Sequence, residues 1–289
     1  MFDGVHLGHV RVISSAVDAA RQADGVSLVL TFPDHPSRLL RPESPTPLIL
    51  APETKTARLL DLEVEHVVLQ PFDESFAKLR AEDFAAYLQT AVPALQGIHV
   101  GENFQFGRGR SGDVALLAET AATFGIEVAV SPPVERQGVP ISSSRIREAL
   151  VKGEIVEVNE MLGRCYEASG IVETGAGRGV DLGFPTLNLP WAPGVEPLYG
   201  VYAVELIAGE DKRRRPGVAN YGVRPTFDED CGDPVLETHL FENPEINLGD
   251  CIRVAFRAFL REEKKFDSVK SLAEQIGKDK ELAREALSI

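Results

Sequence analysis

Two histidines lie three residues apart near the start of the chain, in the segment GVHLGH at residues 4–9. A helical pattern follows at once, so both imidazoles belong to a helix N-terminus, where free N–H groups and the helix dipole favour anions. At that place His6 and His9 could bind phosphate oxygens and stabilise the charge that develops during nucleotidyl transfer. A helix cap with a half-buried histidine is the alternative interpretation. A metal pair is less favoured, because no third ligand is obvious.

A run of serines forms a second candidate phosphate site. Ser142, Ser143 and Ser144 precede a short helical pattern, and Arg147 falls in its first turn. Serines in front of a helix are common N-caps, and that alone would account for the run. Hydroxyls, backbone amides and a guanidinium can also converge on a phosphate group. Both interpretations stay open at this point.

Two glycine-rich loops could also contact a ligand. The first covers residues 101–110 and follows a strand pattern, which is where doubly wound sheets bind ligands, so its Asn103 could contact substrate. The second contains Gly177 and Gly179, whose missing side chains let backbone amides approach phosphates closely. It is not a P-loop, because the pattern GxxxxGK[ST] is absent. An ordinary flexible loop is the alternative for each.

Two short segments in the second half carry oxygen ligands and a carboxylate. Thr186 and Asn188 are two residues apart, so in an extended segment they point to one side. Their neutral oxygens could hold Mg²⁺ with help from ATP phosphates. In a strand, Glu237 shares a face with His239 and Phe241, and its carboxylate could accept a proton from a hydroxyl. The alternatives are that Asn188 lies in a turn and that Glu237 is a partly exposed structural residue.

Composition narrows the classes of partner and compartment. Lysine and arginine number 30 against 44 acidic residues, a net charge of −14. That balance disfavours nucleic-acid binding and docking on an anionic membrane. Apolar runs such as residues 26–32 are far shorter than the ~20 residues of a membrane span, and no signal-peptide pattern is visible. Three cysteines without a CxxC pattern favour a reducing cytoplasm over a disulfide framework or structural zinc.

The elements that must position these residues change character near residue 163. Before it, helical patterns alternate with short apolar strand patterns, which predicts an α/β domain with a mostly parallel sheet over residues 1–163. After it, strand patterns separated by Gly- and Pro-rich turns predict an antiparallel barrel or sandwich over residues 164–289, closed by a terminal helix. Two domains also fit a length of 289 residues. The sequence does not indicate an oligomeric state.

Taken together and in this order, the five segments resemble the bacterial bifunctional riboflavin kinase/FMN adenylyltransferases, also called FAD synthetases. The resemblance covers nearly the whole chain. Its strongest matches are FDGVHLGH at 2–9, ISSSRIR at 141–147, GFPTLNL at 183–189, GVANYGVRPTF at 217–227, ETHLF at 237–241 and FLREEKKF at 259–266. It implies a doubly wound, nucleotidyltransferase-like N-terminal domain and a six-stranded riboflavin kinase β-barrel with a terminal helix.

The resemblance implies two reactions on small-molecule substrates. The barrel domain would move the γ-phosphate of ATP to riboflavin, giving FMN, and the N-terminal domain would adenylylate FMN to FAD and release pyrophosphate. For the N-terminal domain it implies binding of ATP, phosphate or flavin by the residues that match its HxGH, loop and ISSTxIR motifs. In this sequence these are His6, His9, Asn103, Ser142, Ser143 and Arg147, with Ser144 in place of the usual threonine.

The kinase domain has its own implied residues. Thr186 and Asn188 match the PTxN pair that holds Mg²⁺ and ATP, Glu237 matches the general base, and Arg261 matches a basic residue near the flavin. Two alternatives remain beside the bifunctional enzyme. One is a riboflavin kinase with an impaired N-terminal domain, and the other is a flavin- or nucleotide-binding regulator without turnover. The intact PTLN segment and Glu237 argue against the regulator, because a pure binder needs no base beside a metal site.

The start of the sequence departs from the family pattern. A βαβ domain should begin with a strand that delivers the chain to its first helix, and family members have such a strand before FDGVHxGH. Here Met1 stands in its place. We expect that strand to be central in the sheet, so its absence would leave two neighbours without ladder partners and would impair adenylylation. A wrongly placed start codon or a truncated sequence would explain the departure.

Overall fold

The computed structural model describes residues 1–174, 184–209, 213–223, 234–242 and 246–289. The chain divides into two compact units, Met1–Ser143 and Ser144–Ile289. The domain boundary that we expect near residue 163 stays a prediction.

The four longer helices of the first unit bury apolar side chains. Helix α1 buries Val12, Ile13 and Val17, which the helical period places on one side. Helix α3 has a proline in its first turn, and the Asp113 side chain caps α6 by accepting from the backbone N–H of Leu116 at 3.0 Å. The α-helices are α1 (Leu7–Gln22), α2 (Ser37–Leu40), α3 (Pro52–Leu60), α4 (Glu74–Ala77), α5 (Phe84–Ala91) and α6 (Val114–Ala122). Two 3₁₀ turns cover Ala81–Asp83 and Arg108–Arg110.

Four parallel strands and one small hairpin complete the first unit. The strands are β1 (Leu28–Thr31), β2 (His66–Leu69), β3 (Gly97–Gly101), β4 (Glu127–Ser131), β5 (Glu135–Arg136) and β6 (Val139–Pro140). Strand β1 pairs with β2 and β3 with β4, both in parallel, while β5 and β6 form an antiparallel pair. The predicted parallel architecture is confirmed. Among the described residues it consists of two separate two-stranded sheets, since no ladder joins β1 or β2 to β3 or β4.

The second unit is a six-stranded antiparallel barrel with helices α7 (Ser143–Val151) and α8 (Ile155–Leu162) before it. The strand order is β7-β12-β9-β10-β11-β8. An isolated bridge between Glu173 and Asn188 joins the two outer strands and nearly closes the barrel. The predicted barrel is therefore confirmed. Its strands are β7 (Tyr166–Ile171), β8 (Leu187–Pro190), β9 (Gly200–Ala208), β10 (Arg215–Val223), β11 (Pro234–Leu240) and β12 (Cys251–Glu262).

The two faces of the barrel strands have different contents. One face carries large aromatic side chains whose ring centroids lie 5.0–5.9 Å apart, among them Tyr166, Trp191, Tyr202 and Phe256. The opposite face packs against the terminal helix α9 (Val269–Leu287). Because side chains alternate along a strand, the face under α9 is also the one that carries Asn220 and Glu237.

Candidate active sites

His6 caps helix α1 with its side chain. Its Nδ1 accepts hydrogen bonds from the backbone N–H groups of Gly8 at 3.1 Å and His9 at 3.3 Å. A nitrogen that accepts carries no proton, so the neutral ring keeps its proton on Nε2. The His9 ring stacks on it at 3.6 Å. The cap interpretation is thus correct for His6, and the same bonds leave an N–H donor on the other side of the ring.

Gly8 has a steric reason to be glycine. A Cβ placed there would lie 3.0 Å from the Cε1 and 3.1 Å from the Nδ1 of the His6 ring, closer than side-chain contacts normally come. The ring folds back over the first turn because that space is empty. The glycine of the HxGH motif therefore positions the histidine that precedes it.

A buried aspartate ties the histidine segment to two other parts of the first unit. The Asp3 carboxylate accepts from the backbone N–H groups of Ile49 at 3.0 Å and Leu50 at 3.3 Å, and Asp3 is 1% exposed. The Ser143 hydroxyl donates to the Asp3 carbonyl oxygen at 2.8 Å. The structure therefore brings the serine motif to the loop that leads into His6. Ser142 is exposed beside it.

Two further predicted residues lie on other elements. Asn103 lies in an exposed turn directly after β3, and Arg147 lies on α7, in the second unit.

Sequence reasoning missed Lys55, which is buried and donates its Nζ proton to the Phe32 carbonyl oxygen. Burial lowers the pKa of Lys55, while the charge of Asp3 opposes that shift. The helical spacing of Lys55 with buried Leu59 was a usable signal.

The barrel aligns three predicted residues in one row. Asn188 lies opposite Glu237, Glu237 opposite Asn220, Asn220 opposite Val201, and Val201 opposite Arg261. Directly opposite residues present their side chains on the same face of a sheet. Glu237 is partly exposed and Asn188 is 6% exposed. We call these five residues the barrel row. It brings the predicted base next to one predicted metal ligand.

The ligand types at one end of the barrel row fit a magnesium ion. Thr186 is partly exposed just before β8, two residues from Asn188, so its hydroxyl and the Asn188 amide oxygen lie on one side of the segment. Oxygen ligands in small number suit Mg²⁺, which completes its shell with water and substrate phosphates. In the described ranges no group of three or more His, Cys, Asp or Glu side chains could hold a metal. The predicted Gly177 and Gly179 lie outside the described residues.

Asn220 is a site candidate that sequence reasoning did not single out. It lies between Glu237 and Val201 in the barrel row, and its Nδ2 donates to the Glu263 carboxylate at 2.9 Å. The signal was available, because Asn220 is a polar residue in the mostly apolar run of residues 216–223. The amide is therefore held beside the carboxylate of Glu237.

Comparisons with known proteins cover both units. A family model for FAD synthetase matches residues 1–145 and one for riboflavin kinase matches residues 162–287. The bifunctional riboflavin kinase/FMN adenylyltransferase of Escherichia coli K12 is 33% identical over 285 residues, which cover 98% of this chain and 90% of that protein. The chain belongs to the bifunctional riboflavin kinase/FMN adenylyltransferase family. Its Bacillus subtilis relative is 35% identical over 287 residues, which cover 98% of this chain and 89% of that protein.

A solved structure also spans both units of this family member. It is described as a macrolide-efflux protein from Streptococcus pneumoniae, is 31% identical and has a TM-score of 0.86, with 98% of this chain and 91% of that chain covered. The matches to both family models decide the family, which confirms the resemblance that the sequence motifs gave.

No helix within the described parts of the chain is long and apolar enough to span a membrane. Cys165 and Cys251 are free thiols, and Cys231 lies outside the described residues.

Arg261, which the family resemblance places near the flavin, is engaged with the terminal helix. Its guanidinium donates to Asp279 on α9 from Nε at 2.9 Å and from Nη2 at 2.6 Å, and a third proton goes to the Glu262 carbonyl oxygen at 2.8 Å. The two charged side chains are 15% and 3% exposed. This bidentate pair fastens α9 to the barrel. A flavin contact by Arg261 stays a prediction.

Proposed function

We propose that the chain converts riboflavin to FMN with ATP at the barrel row, and FMN to FAD with a second ATP at the N-terminus of α1. The observation that carries the proposal is the direct pairing of Glu237 with Asn188 inside a barrel that matches the riboflavin kinase family. That pairing sets a carboxylate beside a neutral oxygen ligand, which is the combination a hydroxyl phosphorylation needs. Riboflavin, FMN and ATP are its substrates.

In the kinase reaction, Glu237 accepts the proton of the riboflavin 5′-hydroxyl as that oxygen attacks the γ-phosphorus of ATP, and ADP leaves. Thr186 and Asn188 would hold Mg²⁺ through their side-chain oxygens. When bound, the ion neutralises charge on the ATP phosphates. Asn220 on β10 borders Glu237 on the side away from Asn188, so a polar amide lies on each side of the carboxylate that receives the riboflavin hydroxyl. Partial exposure of Glu237 leaves its carboxylate within reach of a substrate.

In the adenylylation reaction, a phosphate oxygen of FMN attacks the α-phosphorus of ATP, and pyrophosphate leaves. His6, whose Nδ1 is occupied by the cap, donates from Nε2 to the phosphate oxygens on which charge develops. His9 and the positive end of the α1 dipole add to the electrostatic field at the same phosphate oxygens. Ser142, Ser143 and Arg147 are the further phosphate ligands of this proposal, and Asn103 contacts the nucleotide or flavin.

The assignment of each activity to a part of the chain is also a proposal. We assign residues 1–163 to adenylylation and residues 164–289 to the kinase, which agrees with the extents of the two family matches. Few cysteines support a cytoplasmic location, and a net charge of −14 supports small molecules rather than nucleic acid or membrane as partners.

The test is to incubate the protein with riboflavin, ATP and Mg²⁺ and to separate the flavins by chromatography. Formation of both FMN and FAD is the expected result. FMN without FAD would reduce the proposal to the kinase, and riboflavin that binds but stays unchanged would contradict it. A parallel reaction started with FMN measures adenylylation without dependence on the kinase.

A further inference from the structure

His239 reaches from one strand of the kinase site to the other. It lies on β11 two residues after Glu237 and on the same face, and it is 8% exposed. Its Nδ1 lies 3.0 Å from the carbonyl oxygen of Pro185. In the ladder of β8 and β11, Asn188 lies opposite Glu237, and the same register continued places Thr186 opposite His239. The imidazole thus contacts the peptide that joins Pro185 to Thr186.

The surroundings of His239 favour one neutral form of its ring. A carbonyl oxygen only accepts, so Nδ1 carries the proton and Nε2 is bare. Nε2 is buried without a hydrogen-bond partner among the described residues. Burial lowers the pKa of His239, the bond to Pro185 opposes that shift, and the charge of Lys280 on α9 adds to it. The Phe184 ring stands edge-on at 5.4 Å. The ring is therefore an uncharged donor with a fixed tautomer.

A buried nitrogen without a partner is unfavourable, and an apolar side chain of similar size would avoid it. The sequence nevertheless has a histidine here, and its Nδ1 hydrogen bond goes to the peptide directly before Thr186. Rotation of that peptide would move the Thr186 hydroxyl relative to the Asn188 amide, although both must face one ligand. Small misplacements of such groups lower rates strongly. The hydrogen bond therefore connects the His239 ring to the geometry of the pair.

We propose that His239 is a positioning residue for nucleotide binding at the kinase site. Its Nδ1–H holds the Pro185–Thr186 peptide, and through it the Thr186 hydroxyl, in the geometry that receives Mg·ATP. This inference rests on the proposed kinase function of the barrel row. His239 itself does not touch the reacting atoms.

Three substitutions in the full chain separate positioning from packing. In His239→Asn the side-chain amide lies close to the place of Nδ1 and can donate to Pro185. In His239→Gln the side-chain amide lies one bond further out, near the place of Nε2, so the Pro185 carbonyl oxygen loses its hydrogen-bond donor. His239→Leu keeps volume without any donor. Steady-state riboflavin phosphorylation gives kcat and the KM values for Mg·ATP and riboflavin, and adenylylation of supplied FMN checks that each preparation is otherwise intact.

We expect the Gln and Leu variants to raise the KM for Mg·ATP by about tenfold or more, with the Asn variant within about threefold of the parent. The KM for riboflavin should change by less than about twofold in all three. If His239→Leu does not fold, the Asn and Gln variants alone decide. Equal behaviour of Asn and Gln, or a parallel rise in the KM for riboflavin, would overturn the inference. Absence of kinase activity in the parent chain would instead contradict the proposed function.

Discussion

The helix N-terminus at His6 takes its geometry from neighbours in sequence, whereas the barrel row at Glu237 takes it from strands far apart in the chain. His6 is fixed by N–H groups two and three residues away, and Gly8 leaves the space that its ring fills. Glu237 is fixed by its pairing with Asn188 and Asn220 on neighbouring strands. A local motif can therefore specify the His6 cap almost alone, while the alignment of the barrel row exists only when the whole barrel has its correct register.

The largest expected effect concerns the base of the barrel row. Glu237→Gln should lower the rate of FMN formation by ~10²–10⁴, because the hydroxyl loses its proton acceptor. Adenylylation of supplied FMN should stay unchanged, since the first unit is untouched. Rates of both reactions, measured on one preparation, check this. Glu242→Gln serves as the matched control, because Glu242 is exposed and pairs with Arg213 at the surface. A variant that phosphorylates riboflavin normally would remove Glu237 from the mechanism.

The ion pair that fastens α9 should have the next largest effect, on stability. Asp279→Ala leaves the Arg261 guanidinium buried without its carboxylate, which typically costs about 3–5 kcal/mol. Denaturant unfolding of the full chain, followed by circular dichroism, measures the loss. Arg284→Ala is the control on the same helix, because the exposed pair of Arg284 with Glu281 should contribute at most about 1 kcal/mol. Equal small losses in the two variants would show that α9 is held by its apolar face alone.

Two substitutions of His6 separate its role as a helix cap from its role as a hydrogen-bond donor. His6→Ala removes both the cap and the donor, so it should lose FAD formation and about 0.5–2 kcal/mol of stability. His6→Asn keeps a good N-cap residue but lacks the Nε2 donor, so its stability should stay near that of the parent while FAD formation falls ~10²-fold. Unfolding curves and the rate of FAD formation from FMN test the pair. Normal adenylylation by the Asn variant would reduce His6 to a cap.

The helices and strands were largely predictable because their signals are local. The apolar spacing in α1 and the capping residue Asp113 of α6 lie within a few residues of what they determine. For the segment around Asn188 an extended chain and a turn were both left open, and the structure places Asn188 in strand β8. Its pairing with β11 was not predicted, since the partner strand is distant in sequence and register depends on the whole sheet. The sequence motifs thus predicted candidate ligands, and the fold adds how they are arranged.

The sequence did not indicate which side chains contact each other in the folded chain. The apolar stripe of the terminal helix was visible, yet nothing local indicated that Asp279 would pair with Arg261. Asn220 and Lys55 each had a local signal, a polar residue in an apolar run and a helical spacing with Leu59, but neither signal indicates which group the side chain contacts. Burial decides such roles, and burial depends on elements that come together only in the folded chain.

Mixing the Glu237→Gln and His6→Asn variants, each of which keeps one activity, tests most directly the central claim that one chain holds two independent sites. Glu237→Gln alone should form no FAD from riboflavin, and His6→Asn alone should stop at FMN. Combined in one tube with riboflavin, ATP and Mg²⁺, they should form FAD, because FMN released by the second variant becomes the substrate of the first. A mixture that forms no FAD, while each variant keeps its remaining single activity, would contradict independent sites that share a diffusing intermediate.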